Sequence, residues 1–306
     1  MEVFPKKVFS VVYKKKFNLD KSTNYHLSIT IGDGIIKVAC IEHATYECLL
    51  LNVYELPLDK TDPTYIKSLE QFYNQEFFLI KKDWFSVTLS VSNQKFTLFP
   101  HLLLSKKDLP IYMHAACGLD PNDEVLVFTH ALAKMSVVFS ENASVLNWFR
   151  KRYTNNNFQI IHQSNAIIEG IQMESTSTYK TELFVWIEAS YCHIVVYDKK
   201  RILYYNIFTY DTSDDFLACI SAVVQIMKLE RNACTLFVAG LIEKKSLAYY
   251  RLKNYIPQTK FKTKIHFLNL NTHFLKQSGH LPILYFDVMS SLLCHPHSKE
   301  KKGGFQ

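Results

Sequence analysis

Tyr25-His26-Leu27-Ser28-Ile29-Thr30-Ile31-Gly32-Asp33-Gly34-Ile35-Ile36-Lys37-Val38-Ala39-Cys40-Ile41-Glu42 is the stretch on which the fold turns. Leu27, Ile29 and Ile31 alternate with Ser28 and Thr30, the two-residue period of a strand. Asp33-Gly34 follows, and an Asp-Gly pair between apolar runs predicts a tight hairpin, because both central residues of a type I′ turn need positive φ. Ile35–Glu42 is then the returning strand, and residues 47–56 are a third. Thr61-Asp62-Pro63 predicts a helix start, with Asp62 as the cap and Pro63 at the first helical position. Ile66, Leu69, Phe72 and Tyr73 continue it at helical spacing, and residues 84–91 read as a fourth strand. The order is βββαβ.

The same order returns further along. Residues 182–188, 193–197 and 202–208 read as strands, with Asp198-Lys199-Lys200 as the turn between the last two. Ser213 is read as the cap of a helix that carries Asp214 and Asp215 in its first turn, where carboxylates meet the positive helix end. A strand at 235–239 and a helix at 243–253 complete βββαβα. Between the two units lie strands at 95–99, 123–129 and 134–140, helices at Leu109–Cys117 and 142–152, a strand at 158–163, and a helix at 164–173 capped by Ser164. A last helix near 284–293 is stopped by Pro296. No residue-level repeat accompanies the repeated order. Three strands before the first helix argue against a doubly wound nucleotide fold, which alternates βαβ from its start.

Composition sets limits. The chain has 306 residues, enough for two domains with cores of their own, and 48% of them are apolar. The formal charge of +7 invites a nucleic-acid reading. Most of it sits at the ends: six Lys against Glu2 and Asp20 in residues 1–24, and Lys299, Lys301 and Lys302 against Glu300. The body between them is close to neutral. Seven cysteines, an odd number without a CxxC pair, read as reduced core thiols of a cytoplasmic protein. Neither a signal peptide nor a membrane-spanning stretch is expected.

The element order resembles the actin-like ATPase superfamily and, more closely, a bacterial family with an actin-like fold and no assigned activity. That resemblance implies an α/β protein with two RNase-H-like βββαβα domains facing across a nucleotide cleft. The domains expected are 1–173, with an inserted subdomain around 92–140, then 174–282, then a C-terminal helix and basic tail at 283–306. The superfamily's first phosphate loop joins strands one and two. Here Gly32 and Lys37 match it, but Thr30 stands at the Asp position and Asp33, before Gly34, puts a carboxylate in the loop. The second loop runs Asp, then Gly, then small residues. Here Trp186 replaces the Asp and Glu188 the Gly, with Ser190 following. Of the adenosine motif's Gly pair, Ala239-Gly240 keeps one. Magnesium phosphate needs carboxylates that organise the metal and backbone N–H groups that glycine exposes. Both loops have lost that chemistry, so the resemblance implies a pseudo-ATPase with no cofactor, acting through an unnamed protein partner. The alternatives are a divergent ATP-binding protein and a nucleic-acid binder using residues 244–264, where seven basic residues interleave with Tyr249, Tyr250, Tyr255 and Phe261. The bland reading of that segment is a solvated helix face with its aromatics turned inward.

Other constellations are weaker. Cys294, His295 and His297 match no zinc spacing and read as a polar helix end, so no metal is expected. GxSxG, HExxH and Walker A patterns are missing from the sequence. The stretch from Phe4 to Phe17, Lys mixed with Phe, Val and Tyr, is read as an added edge strand in preference to a membrane-surface segment.

Overall fold

The computed structural model describes residues 5–295 apart from 33, 132, 155–156, 176–179, 200 and 278–281. The chain divides into two compact units, one of residues 1–170, 267–279 and 285–306, the other of 171–266 and 280–284.

In the first unit, β1 (Lys6–Val12), β2 (Tyr25–Gly32), β3 (Ile35–Glu42), β4 (Cys48–Glu55), β5 (Ser86–Val91) and β9 (Phe158–His162) form one sheet in the order β1-β4-β3-β2-β5-β9. β4, β3 and β2 pair antiparallel, whereas β5 and β9 join in parallel. α1 (Tyr65–Gln75) supplies the crossover from β4 to β5. Between β5 and β9 the chain makes a separate three-stranded sheet from β6 (Phe96–Pro100), β7 (Asp123–His130) and β8 (Met135–Asn142), together with α2 (Leu109–Cys117). α3 (Ala143–Arg152) then leads to β9, and α4 (Gln163–Glu174) follows it.

The second unit has β10 (Glu182–Ile187), β11 (Tyr191–Asp198), β12 (Arg201–Thr209), α5 (Ser213–Ile226), β13 (Thr235–Gly240), α6 (Leu247–Tyr255) and β14 (Thr259–Phe261). Its sheet order is β12-β11-β10-β13-β14. With β1 set aside, the two sheets have the same plan: two antiparallel neighbours on one side of the first strand, two parallel neighbours on the other. β2 and β10 hold equivalent central places. α7 (Thr272–Gln277) and α8 (Phe286–Ser290) return to the first unit, where α8 packs on β2 and β3.

The 33–34 hairpin forms in the register that a two-residue turn requires, Gly32 opposite Ile35, with Gly34 at φ +72°. β1 is the edge strand expected of the N-terminal stretch. Several local expectations differ. Asp62 caps no helix: its Oδ1 accepts from the Thr64 N–H and hydroxyl in a turn, and α1 starts at Tyr65. The cap of α5 is Thr212, closed into a capping box with Asp215, and Ser213 is already helical. Ser164 lies inside α4, and its hydroxyl bonds His162 Nδ1. α6 starts at Leu247 under a Ser246 cap, four residues later than the sequence suggests. The last helix is three short pieces, 3-10 turns Pro282–Tyr285 and Ser291–Cys294 flanking α8; Pro296 and His297 lie outside the described residues.

β2 is buried on both faces, although its alternation reads as a half-buried strand. One face carries Leu27, Ile29 and Ile31; the other carries Ser28 and Thr30, level with Ser90 of β5. Small hydroxyl side chains keep that face thin. The neighbouring helices are as closely fitted: a Cβ on Gly170 of α4 would come within 2.5 Å of Phe286 and Ser290 of α8.

Candidate functional site

Lys37 sits on β3, directly opposite Thr30 on β2, which in turn lies opposite Ser90 on β5. The three share one face of the sheet. Lys37 is only 8% exposed. Its Nζ donates to Asp287 Oδ2 of α8 at 3.0 Å, and Gln163 Nε2 of α4 donates to the same oxygen at 2.9 Å. Ser92 Oγ closes the chain by donating to Gln163 Oε1 at 2.8 Å. A buried ammonium is tolerable only when matched by an opposite charge, and here the match comes from 250 residues away. Thr30 Oγ1, Ser90 Oγ and Asp287 Oδ1 have no hydrogen-bond partner among the described residues.

The loop glycines answer to the backbone. An added Cβ on Gly32 would lie 2.2 Å from the Ser92 carbonyl oxygen, because the exit of β5 hugs the end of β2 through Ser92 N–H to Ile31 O. Gly34 holds the positive φ of the turn. Asp33 lies outside the described residues.

In the second unit, Trp186 is 5% exposed and faces His193 across β10 and β11, with ring centroids 5.1 Å apart. His193 Nδ1 and the Tyr205 hydroxyl are 2.8 Å apart. The Glu188 N–H donates to Tyr191 O, Glu188 O accepts from the Tyr210 hydroxyl, and Ser190 O accepts from Tyr210 N. The loop is thus closed on itself, and its first amide is already used. Ala239 pairs with Trp186 across the parallel β10–β13 ladder. Gly240 has φ +98°, and a Cβ there would meet Ile187 O at 2.1 Å.

Magnesium and nucleotide phosphate do not fit these residues. At the two positions where the resemblance would place metal-organising carboxylates, one side chain is a buried threonine and the other a buried indole. The one lysine is neutralised from within, and among the described residues no cluster of three His, Cys, Asp or Glu could hold a metal ion.

The sequence gives no hint of a groove of about 730 Å³ beside the first loop, at the carboxyl ends of β2 and β5. Five carboxylates (Glu55, Asp59, Asp120, Asp123, Glu141) and two lysines (Lys60, Lys95) line it. Lys60 Nζ pairs with Glu141 Oε2 at 2.5 Å and also donates to Ser92 O. Lys95 pairs with Asp120 and, at 2.8 Å, with Asp123. Burial lowers the Lys95 pKa, but its hydrogen bonds to Asp120 and Asp123 outweigh that and raise it. The carboxylate excess disfavours a phosphate here as well. Beneath the groove, buried His162 donates from Nε2 to Asn93 O at 3.0 Å, and burial pushes its pKa down to about 3.

Residues 244–264 divide by role. Tyr249 and Leu252 are buried in the core of the second unit. Lys262 pairs with buried Glu174, which also accepts from His266, and both Lys260 and Lys262 lie over the Phe237 ring. Tyr250 points out, beside Lys244, Lys245 and Lys253 along a shallow concavity. Within α6, Tyr249 turns into the core and Tyr250 outward, while Tyr255 and Phe261 are partly buried.

A family profile described as "Protein of unknown function (DUF3822)" matches residues 14–259. The chain belongs to that family. No curated protein matches it by sequence. Among solved structures, a Bacteroides thetaiotaomicron protein with an actin-like ATPase fold and unknown function is similar at a TM-score of 0.74 and 17% identity, over 90% of this chain and 98% of that one. The PilM–PilN type IV pilus biogenesis complex is similar at 0.62 and 9%, over 88% and 98%. At such identities the likeness shows the fold, and this DUF3822 protein has an actin-like ATPase fold.

Proposed function

We propose that this protein is a non-catalytic, actin-like binding or scaffold protein of the cytoplasm whose nucleotide motifs have been turned to structural use. The observation that carries the reading is the buried Lys37–Asp287 pair. A phosphate-loop lysine must present its charge to the ligand; here the charge is consumed inside one unit. The surviving glycines support the same view. Gly32, Gly34 and Gly240 stand where the backbone itself excludes a Cβ or requires positive φ. The positions that only chemistry would preserve hold Thr30, Trp186 and Glu188. That a similar structure belongs to a complex of two pilus-biogenesis proteins supports partner binding as the role left to such a fold.

The test is direct. A ligand at a hundred times its Kd stabilises a folded protein by about 2.7 kcal/mol, which at this size raises the melting midpoint by roughly 4 °C. Millimolar Mg-ATP should give no such shift and no phosphate release above a heat-killed control. A shift competed by ADP would replace this reading with that of a divergent ATP-binding protein.

A further inference from the structure

α2 reads Leu-Pro-Ile-Tyr-Met-His-Ala-Ala-Cys, nine residues with no charge, yet only Met113 is buried. Tyr112 packs on Phe99 of the sheet beneath, with ring centroids 4.3 Å apart. The outward side shows Pro110, Ile111 and Ala115 to solvent, Ile111 at 65% exposure. The turn leading into the helix exposes Leu102 at 91% and Leu103 at 72%. A helix apolar all round is ordinarily buried, so the exposed apolar residues of α2 and of the turn before it mark a contact surface.

We propose that this patch is a homodimer contact in which α2 packs antiparallel on α2 of a second copy. Charge selects the occupant. Residues 101–120 carry Lys106, Lys107, Asp108 and Asp120, a net of zero, so neither an acidic nor a basic partner gains from the field. An interfacial membrane helix has a basic polar face; α2 has none. Its ends do complement each other. Lys106 and Lys107 precede the helix, while Asp120, largely exposed although paired with Lys95, follows it. A two-fold axis across α2 sets the lysines of each copy beside Asp120 and the negative helix end of the other. Nine helical residues extend only about 14 Å, so with the leucine turn the interface falls at the small end, below roughly 1,200 Å² in total. The dimer is therefore weak and concentration-dependent. The contact involves the inserted sheet alone and stands whether or not nucleotide binds.

Sedimentation equilibrium of the full chain from micromolar to several hundred micromolar tests it. A monomer–dimer equilibrium is expected, weakened at least tenfold by Ile111→Glu or Leu102→Glu and unchanged by Ile226→Glu, which alters an exposed apolar residue of α5. Far-UV dichroism and a melting midpoint within about 2 °C of the parent certify the fold of each variant; if either glutamate fails that check, Ile111→Ser takes its place. Exchanging Lys106 and Lys107 for Asp should weaken the dimer, and adding Asp120→Lys should restore it. Failure of that restoration overturns the antiparallel pairing. A single monomer at every concentration overturns the proposal, as does a dimer indifferent to the glutamates. Monomeric protein that sediments with phosphatidylglycerol vesicles, and loses this with Ile111→Glu, would assign the patch to lipid and also overturn it.

Discussion

At position 37 the lysine ammonium and the Asp287 carboxylate are each buried, and each is tolerable only because of the other. Removing one partner leaves the other's buried charge without its counter-charge. Lys37→Met should cost about 3–5 kcal/mol in urea unfolding, whereas Lys37→Met with Asp287→Leu should recover most of it. A single variant costing less than about 1 kcal/mol would mean that the pair holds little. His162 offers a pH-dependent check. Its folded pKa is about 3 against an ordinary 6.5, so between those values the unfolded chain holds a proton that the folded chain refuses. Stability from this group is complete above pH 6.5 and falls by about 1.4 kcal/mol for each unit of acidification toward 3. The stability of His162→Gln should therefore decline less steeply from pH 6.5 to 4.5 than that of the parent. Parallel curves would dismiss the buried neutral imidazole as a source of acid sensitivity.

Among the elements, those written by short-range rules could be read from the sequence. The 33–34 turn, the alternation of β2, the N-terminal edge strand and the repeated βββαβ order all depend on neighbours a few residues apart. Helix starts at Tyr65, Ser213 and Leu247 were harder, since several nearby hydroxyls and carboxylates could each serve as the cap and only Thr212 and Ser246 do so. Unreadable were the contacts whose partners lie far along the chain: Asp287 for Lys37, Glu141 for Lys60, the Asn93 carbonyl for His162. The β2–β3 and β10–β11 turns were therefore legible in the sequence, but the partner of Lys37 and the acidic groove were not. Glycines show the difference between elements. Gly118 has φ +75° with open space around it, whereas Gly240 combines positive φ with Ile187 O in the way. Gly118→Ala should cost about 2 kcal/mol from backbone strain alone, because φ +75° with ψ 158° is a conformation essentially confined to glycine. Gly240→Ala should cost at least twice that, measured as the shift in urea midpoint; equal losses would deny that the β10–β13 contact demands glycine.

Over the whole molecule, the net charge is unevenly spread along the sequence. The basic excess lies at the two ends of the sequence, and the body between them is nearly neutral. Deleting residues 299–306 should leave the melting midpoint within about a degree, because a polar stretch buries little apolar surface, while lowering the salt at which the protein leaves heparin. A fall of many degrees would make that segment part of the fold. The network of Lys37, Gln163 and Asp287 joins three distant stretches of one chain, and this has a historical consequence. Turning Lys37 outward toward a phosphate would strand Asp287 in the interior, and changing Asp287 first would strand Lys37. Either first step alone carries the cost of an unmatched buried charge. On the proposed non-catalytic reading the network acts as a ratchet: a lineage carrying it would lose nucleotide chemistry more easily than regain it.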